Sequence, residues 1–452
     1  MCQAVISPPF LADDNPSTNI ALKTLQNLRQ LNPQVRFVRF QWQDLSGLLR
    51  GRVALIEYAL QLATTKKNIR LSPIGLHCIV DNSFIPGLDF QGMHLLVADW
   101  SSLRIINENA PGPSYATVMC SVVSSSLKQL VPSSSICPRG ALANVIRKAS
   151  EKYGVHFLVG FEVEFEVVKI DSTGDVVLQG AGLGRYCVDG LRDPCFQYVE
   201  EAVQELLDSG ALIQEFHSEG AVGQYEITLG PLPPLQAVDQ LILVHDTLKR
   251  VFTRHGLIAN MSPVSVAGQG QGTGQHTHIS INPPIKEDNF LAGILKRLPG
   301  LCAFTLPHDV SYPRVKPSLA GDTVAWGTHH REAPLRKVNP GHWEIRCVDA
   351  TANMYLSLAA ILSAGLLGYQ NGEPLVWVDM GLTENASLWS KSARLPQTLD
   401  KSLDCLNGEF QELESMMESK VIQHYLKIKR WESARLKSMD AKDVRALFAR
   451  LF

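Results

Sequence analysis

No apolar run in this 452-residue chain reaches the roughly 20 residues that a membrane-spanning helix needs. The longest, Tyr355 to Tyr369, carries two serines and reads as a buried core helix. An excess of one charge is also missing. The 42 lysines and arginines against 44 aspartates and glutamates leave a net charge of -2, which gives no footprint for nucleic acid or an anionic membrane. The nine cysteines are scattered and form no CxxC pair, so they read as reduced intracellular thiols rather than a disulfide framework. No charged stretch followed by an apolar one stands at the start, so no secretory signal is expected and a cytoplasmic location is. Absence of GxxxxGK[ST] removes the phosphate-loop reading, and absence of GxSxG removes the hydrolase elbow.

What is present is a set of strands with chemistry on the wrong face for an ordinary core. Glycine recurs at Gly268, Gly270, Gly272 and Gly274, allowing close approach of a ligand or another backbone. The chain then alternates as a strand, with His276, His278 and Ser280 on one face and Thr277 and Ile279 on the other. Phe161-Glu-Val-Glu-Phe165 puts Glu162 and Glu164 together, and Trp343-Glu-Ile-Arg346 does the same for Glu344 and Arg346. A further segment, His217 to Ile227, contributes Glu219 and Glu226. Three alternating strands of this kind imply a sheet curved around a polar, ligand-filled interior. Five carboxylates gathered there would repel one another unless cations neutralised them. Oxygen ligands with one imidazole suit Mg²⁺ or Mn²⁺, two or more ions per site, better than zinc. Arg314, Arg331 and Arg346 add groups that bind carboxylate or phosphate through two parallel hydrogen bonds. Arg336, beside Lys337, is either a surface charge or a contact on the nucleotide side. Acids, metals and arginines together suit phosphoryl transfer from ATP to a carboxylate.

Along the chain, residues 1–33 read as a polar arm and an amphipathic helix. A hairpin over residues 35–54 and a strand at 92–98 follow. Asn107-Glu-Asn-Ala-Pro-Gly-Pro-Ser114 is the strongest linker signal, which sets a first domain at 34–112 and a second at 113–452. Helices are expected at 138–153, 194–209, 235–255 and 351–368, and the charged tail from about 399 as an outer helical layer.

The segments Gly160 to Phe165, Glu219 to Ile227, Gly272 to Ser280, Trp326 to Arg331 and Trp343 to Asp349 resemble glutamine synthetases of the bacterial type I class, in that family's order and spacing. Ala352 to Ala360, with His342-Trp-Glu-Ile-Arg346, is similar to the glutamine-synthetase-like proteins of filamentous fungi. The resemblance implies an α+β fold, with an N-terminal β-grasp domain and a catalytic domain built on a curved antiparallel sheet. It implies a ring-shaped homo-oligomer in which one subunit's N-terminal domain helps close its neighbour's site. By motif, Glu164, Glu219 and Glu226 would hold one metal ion, and Glu162, His276 and Glu344 the other. Gly272, Arg314 and Arg346 would bind the amino-acid substrate, Arg331 would stabilise the transferring phosphoryl group, and His278 and Ser280 would line the nucleotide side.

The departures from the family pattern concern the amine and the nucleotide. The flap glutamate that closes over the ammonium site falls near Ala320, with Asp322 the only acid between Arg314 and Arg331. The ammonium site's N-terminal aspartate has Asp81 as its candidate. Pro263-Val264-Ser265 replaces Pro-Lys-Pro near the nucleotide, and His342 replaces an arginine. Glu166, a third acid on the Glu162 face, has no place in the pattern. The expected activity is ATP-dependent ligation of a glutamate-like acid to an amine other than ammonia, giving a γ-glutamyl amide through an acyl phosphate. An ammonia-using glutamine synthetase and a catalytically silent scaffold are the alternatives.

Overall fold

The computed structural model describes residues 16–87, 92–106, 114–125, 136–180, 186–188, 190–266, 272–383 and 392–452. The 1–15 arm, most of the 107–114 linker, and Gly268 and Gly270 lie outside them.

The N-terminal sheet contains β1 (Val35–Gln43), β2 (Leu49–Leu55), β3 (Ile69–Leu71), β4 (Met93–Ala98), β5 (Arg104–Ile106) and β6 (Ser114–Ser125). Val38, Phe40 and Trp42 alternate inward on β1 and meet Leu25 and Leu28 of the helix Pro16–Leu31, so helix and sheet bury one shared core. The β1–β2 turn is held by Asp44, whose Oδ1 accepts from the Ser46 and Leu48 amides at 3.0 Å each. Strand order is β2-β1-β6-β4-β3, with β5 on β6 and a parallel β1–β6 pair at the centre, the arrangement of a β-grasp sheet.

This pairing corrects the expected boundary. Residues 114–125 belong to the N-terminal sheet, because β6 fills the gap between β1 and β4. The helix Pro16–Leu31 likewise belongs to the N-terminal unit rather than to a separate arm. The linker signal at 107–114 falls between β5 and β6, two paired strands of this one sheet.

The second sheet comprises β7 (His156–Ile170), β8 (Val176–Leu178), β9 (Ile213–Ser218), β10 (Gln224–Leu229), β11 (Ile258–Asn260), β12 (Thr277–Asn282), β13 (Trp326–Thr328), β14 (Leu335–Asn339) and β15 (His342–Ile345). Its order is β13-β14-β15-β12-β7-β10-β9, with β8 and β11 also on β7, and every pair except β13–β14 is antiparallel. The curved sheet is as expected. Phe157, Val159, Phe161, Val163 and Phe165 of β7 are all buried on the core side, which commits Glu162 and Glu164 to the other face.

Behind the sheet runs the helix Met354–Asn371, apolar all round and buried from Met354 to Gly368. The Asn353 side chain caps its start by accepting from the Leu356 amide, and Gly372 closes its end at φ 62°. The tail helices Leu399–Met417, Val421–Lys437 and Ala441–Leu451 are more than an outer layer. Leu403, Leu406, Met417, Ile422, Tyr425 and Ile428 join the main core, and Lys429 and Glu432 are buried as an ion pair beside His308. Arg139 ties the two domains by bridging Asp99 at 2.7 Å and Asp239 at 2.9 Å. Among the described residues no helix is long and apolar enough to cross a membrane.

Candidate active site

Strand register assembles the acidic face. Glu164 on β7 stands opposite Glu226 on β10, which in turn faces His217 on β9. Toward the other edge, His278 on β12 lies between Gly160 of β7 and Glu344 of β15, and Glu344 lies opposite Arg336 of β14. Six strands distant in sequence thus put their polar side chains on one surface, because each spends its alternate positions on the core.

Glu162 is the hub. Its Oε2 accepts from His276 Nδ1 at 2.8 Å and its Oε1 from His278 Nε2 at 3.0 Å. Burial opposes its ionisation, yet these two hydrogen bonds hold its carboxyl well below the usual range. On its other side, His278 Nδ1 lies within hydrogen-bond distance of His342 Nε2, 3.0 Å away. Burial and then the nearby His278 depress His342, so the chain His342–His278–Glu162 is neutral at its outer end. Glu344 is wholly buried, with Arg346 Nη1 2.6 Å from its Oε1 and Arg336 paired to its Oε2. Arg336 is therefore an inward ion-pair partner, and the surface-charge alternative fails.

Glu162, His276 and Glu344 offer donor atoms that all lie within 4.8 Å of one another, the one such group among the described residues. Two carboxylates and one imidazole suit a hard divalent cation such as Mg²⁺ or Mn²⁺. Glu164, Glu219 and Glu226 do not converge as tightly but share a field. Burial, followed by the charges of Glu162, Glu164, Glu219 and Glu344, pushes Glu226 up to about 9. Burial and then Glu164 raise Glu219 as well. An acid cluster that holds a proton this firmly is the chemistry of a cation site, so the residues fit the implied metals.

Gly272 and Gly274 are glycines for steric reasons. A Cβ on Gly272 would lie 2.0 Å from the Pro263 carbonyl oxygen, and one on Gly274 would lie 2.6 Å from Arg314 Nη2 and 3.1 Å from Glu164 Oε1. Gly274 also donates its amide to Glu164 Oε2 at 2.8 Å. Arg314 is buried against Gly274, and its Nε and Nη1 have no hydrogen-bond partner. Arg331 is exposed on the turn after β13, close enough to Arg336 to disfavour its charge. Ser280 is half-buried opposite His342 and Leu158, toward the outer end of the face.

Two residues in the site had no expected role. Gln224 donates to Glu164 Oε2 at 3.2 Å, and its position two before Glu226 on an alternating strand was the available signal. Ser265 bonds Glu166, which gives that third acid its account: it anchors the Pro263–Val266 approach to the glycine-rich segment. On the amine side, Ala320 is fully buried in the main core and donates its amide to the Arg314 carbonyl at 3.0 Å. Asp322 is paired to Arg394. Asp81 is engaged by Arg435 at 2.9 Å and by Ser83.

The family model for the glutamine synthetase catalytic domain matches residues 135–445. The chain is 32% identical over 432 residues to Protein fluG of Emericella nidulans, covering 92% of this chain and 49% of that protein, so it spans about half that relative's length. It is 29% identical over 418 residues to the gamma-glutamylpolyamine synthetase GlnA3 of Streptomyces coelicolor, covering 82% of this chain and 84% of that protein. A solved structure described as a novel glutamine synthase homolog superposes with a TM-score of 0.77 at 25% identity, covering 92% of this chain and 99% of that one.

Proposed function

This chain belongs to the glutamine synthetase family, and on that premise we propose that it is an ATP-dependent carboxylate–amine ligase. It would activate the γ-carboxylate of a glutamate-like acid as an acyl phosphate and pass the acyl group to an amine other than ammonia. The observation that carries the reading is the Glu162–His276–Glu344 triad, two of its members buried, with Arg336, Arg346 and Arg314 around it.

Arg314 and Arg346 are the groups to clamp the acid, since buried guanidiniums bind a carboxylate in a fixed orientation. Arg331, exposed at the rim, is free to swing onto a transferring phosphoryl group. His278 and Ser280 line the nucleotide side, and Arg336, within reach of Glu344, faces the same phosphates. Glu162, His276 and Glu344, with Glu164, Glu219 and Glu226, would hold Mg²⁺ or Mn²⁺, which when bound neutralises phosphate charge. Production of an amide requires a neutral amine, and ammonium needs anionic groups to draw it in and take its proton. Ala320 supplies none, Asp322 is occupied by Arg394, and Asp81 by Arg435. That pattern favours an organic amine. The relative from Streptomyces coelicolor bears the name of an enzyme acting on polyamines.

Phosphate release from ATP, measured across a panel of acids and amines and compared by kcat/KM, tests the reading. An organic amine should outrun ammonium. Ammonium ahead of every amine would make this a glutamine synthetase. No turnover with any pair would leave the silent-scaffold alternative.

A further inference from the structure

Away from the acidic face, three imidazoles from three elements meet where the N-terminal sheet abuts the tail helices. His77 ends the short helix Ile74–His77, His94 sits on β4 opposite Leu71 and Ser124, and His424 lies on the helix Val421–Lys437. His77 and His94 are each 4% exposed, and His424 is half-buried. His77 Nδ1 donates to the Pro73 carbonyl at 2.8 Å, which leaves Nε2 with its lone pair free to accept. That Nε2 lies 3.3 Å from His424 Nδ1, and the two ring centroids are 5.5 Å apart. The His94 ring is 6.4 Å from that of His77, and its buried Nδ1 has no hydrogen-bond partner.

We propose that His77, His94 and His424 form a second metal site, for a borderline transition-metal ion of the zinc type, that clasps the N-terminal domain to the tail helix. Two nitrogens on one tetrahedral ion, at the usual zinc–imidazole bond length of about 2.0–2.1 Å, stand about 3.3 Å apart. The His77–His424 pair already has that spacing. A backbone carbonyl on the far nitrogen of His77 is the kind of outer partner that fixes the tautomer and direction of a metal-binding ring. As they stand the three rings do not bring their donor nitrogens within 4.8 Å of one another, and His94 completes the set by turning its ring so that the unpartnered Nδ1 points at the pair. His424 moves its proton from Nδ1 to Nε2, so the ion replaces one hydrogen bond and no proton is gained or lost. Water fills the fourth position. An all-nitrogen set discriminates against Mg²⁺, which prefers oxygen, so this site and the acidic face sort different ions.

The rings are also in the right charge state. Burial, and then mutual proximity, pushes His94 and His424 down to about 4, and burial lowers His77. The cation Lys427, on the His424 helix, acts in the same direction. Neutral imidazoles at physiological pH are ready ligands, with no proton to displace.

Zinc titration by calorimetry, on the full chain saturated with Mg²⁺, tests this, together with the melting temperature. One Zn²⁺ per chain should bind and raise the melting temperature, and Co²⁺ in its place should show the absorption of a tetrahedral nitrogen site. His424→Gln, at a half-exposed position that tolerates change, should weaken zinc binding by roughly 100-fold, on the scale of metal-site mutations. Glu344→Gln, which alters only the acidic face, should leave it unchanged. Absence of zinc binding, equal binding in His424→Gln, or loss of binding in Glu344→Gln would each overturn the site.

Discussion

Glu164 and Glu226 face each other directly across the β7–β10 ladder, two carboxylates on one buried surface. Glu226 keeps its proton up to about 9, against an ordinary value of 4.5. The metal-free native chain therefore holds a proton that the unfolded chain releases, and its stability should fall as pH rises from about 7 to 9, above the range in which the lowered His94 and His424 act in the opposite sense. Raised Glu219 and Asp44 act in the same sense. Mg²⁺ or Mn²⁺ should raise the melting temperature more at pH 9 than at pH 6, with protons released on binding. A metal-free melting temperature that climbs across this window would contradict the shared-charge reading.

Glu344→Gln removes the charge that two arginines and the metal triad share. Activity should drop by more than about 100-fold, because the metal loses a ligand and the arginines lose the group that aims them. The chain should still fold, since glutamine keeps the shape. Circular dichroism and ATP turnover together decide it.

His342 acts on Glu162 only through His278. His342→Ala should lower kcat/KM for ATP by about 10- to 100-fold, as loss of an outer partner does. His342→Gln, which retains an N–H donor, should restore part of it. Equal losses in both would mean that the donor does not matter.

Lys429 and Glu432 are buried together. Lys429→Ala leaves a buried carboxylate without its cation and should cost about 3–5 kcal/mol in urea unfolding. Replacing both, as Lys429→Met with Glu432→Leu, should cost far less.

We propose the ring assembly that the resemblance implies. The active species should be a closed ring, with an isolated monomer inactive. Light scattering coupled to activity across a dilution series checks this, and a fully active monomer would refute it.

Much of the site was legible because alternation is a local property. Phe161 to Phe165 and His276 to Ser280 show their polar face in five residues, and register then brings Glu162 within reach of His276 and His278. The membership of β6 was not legible, since its parallel partner β1 is some eighty residues away and nothing local marks it. The helix Glu287–Thr305 also escaped, having Pro299 within it and burial on most sides, so no stripe stands out. Tail burial was hidden for a related reason: Lys429 and Glu432 look solvated until each is seen to be the other's partner.

Ala320, wholly enclosed by the main core, would make the proposed choice of an organic amine hard to reverse. A single codon change to glutamate would push another methylene and a carboxylate into a space that a methyl already fills, at the cost of an overpacked core and a buried charge. Recovery of a flap acid would first need smaller neighbours around position 320, changes that by themselves leave a cavity. Each first step is penalised before the second can be rewarded, so the proposed specificity would be held by the order in which mutations can arrive.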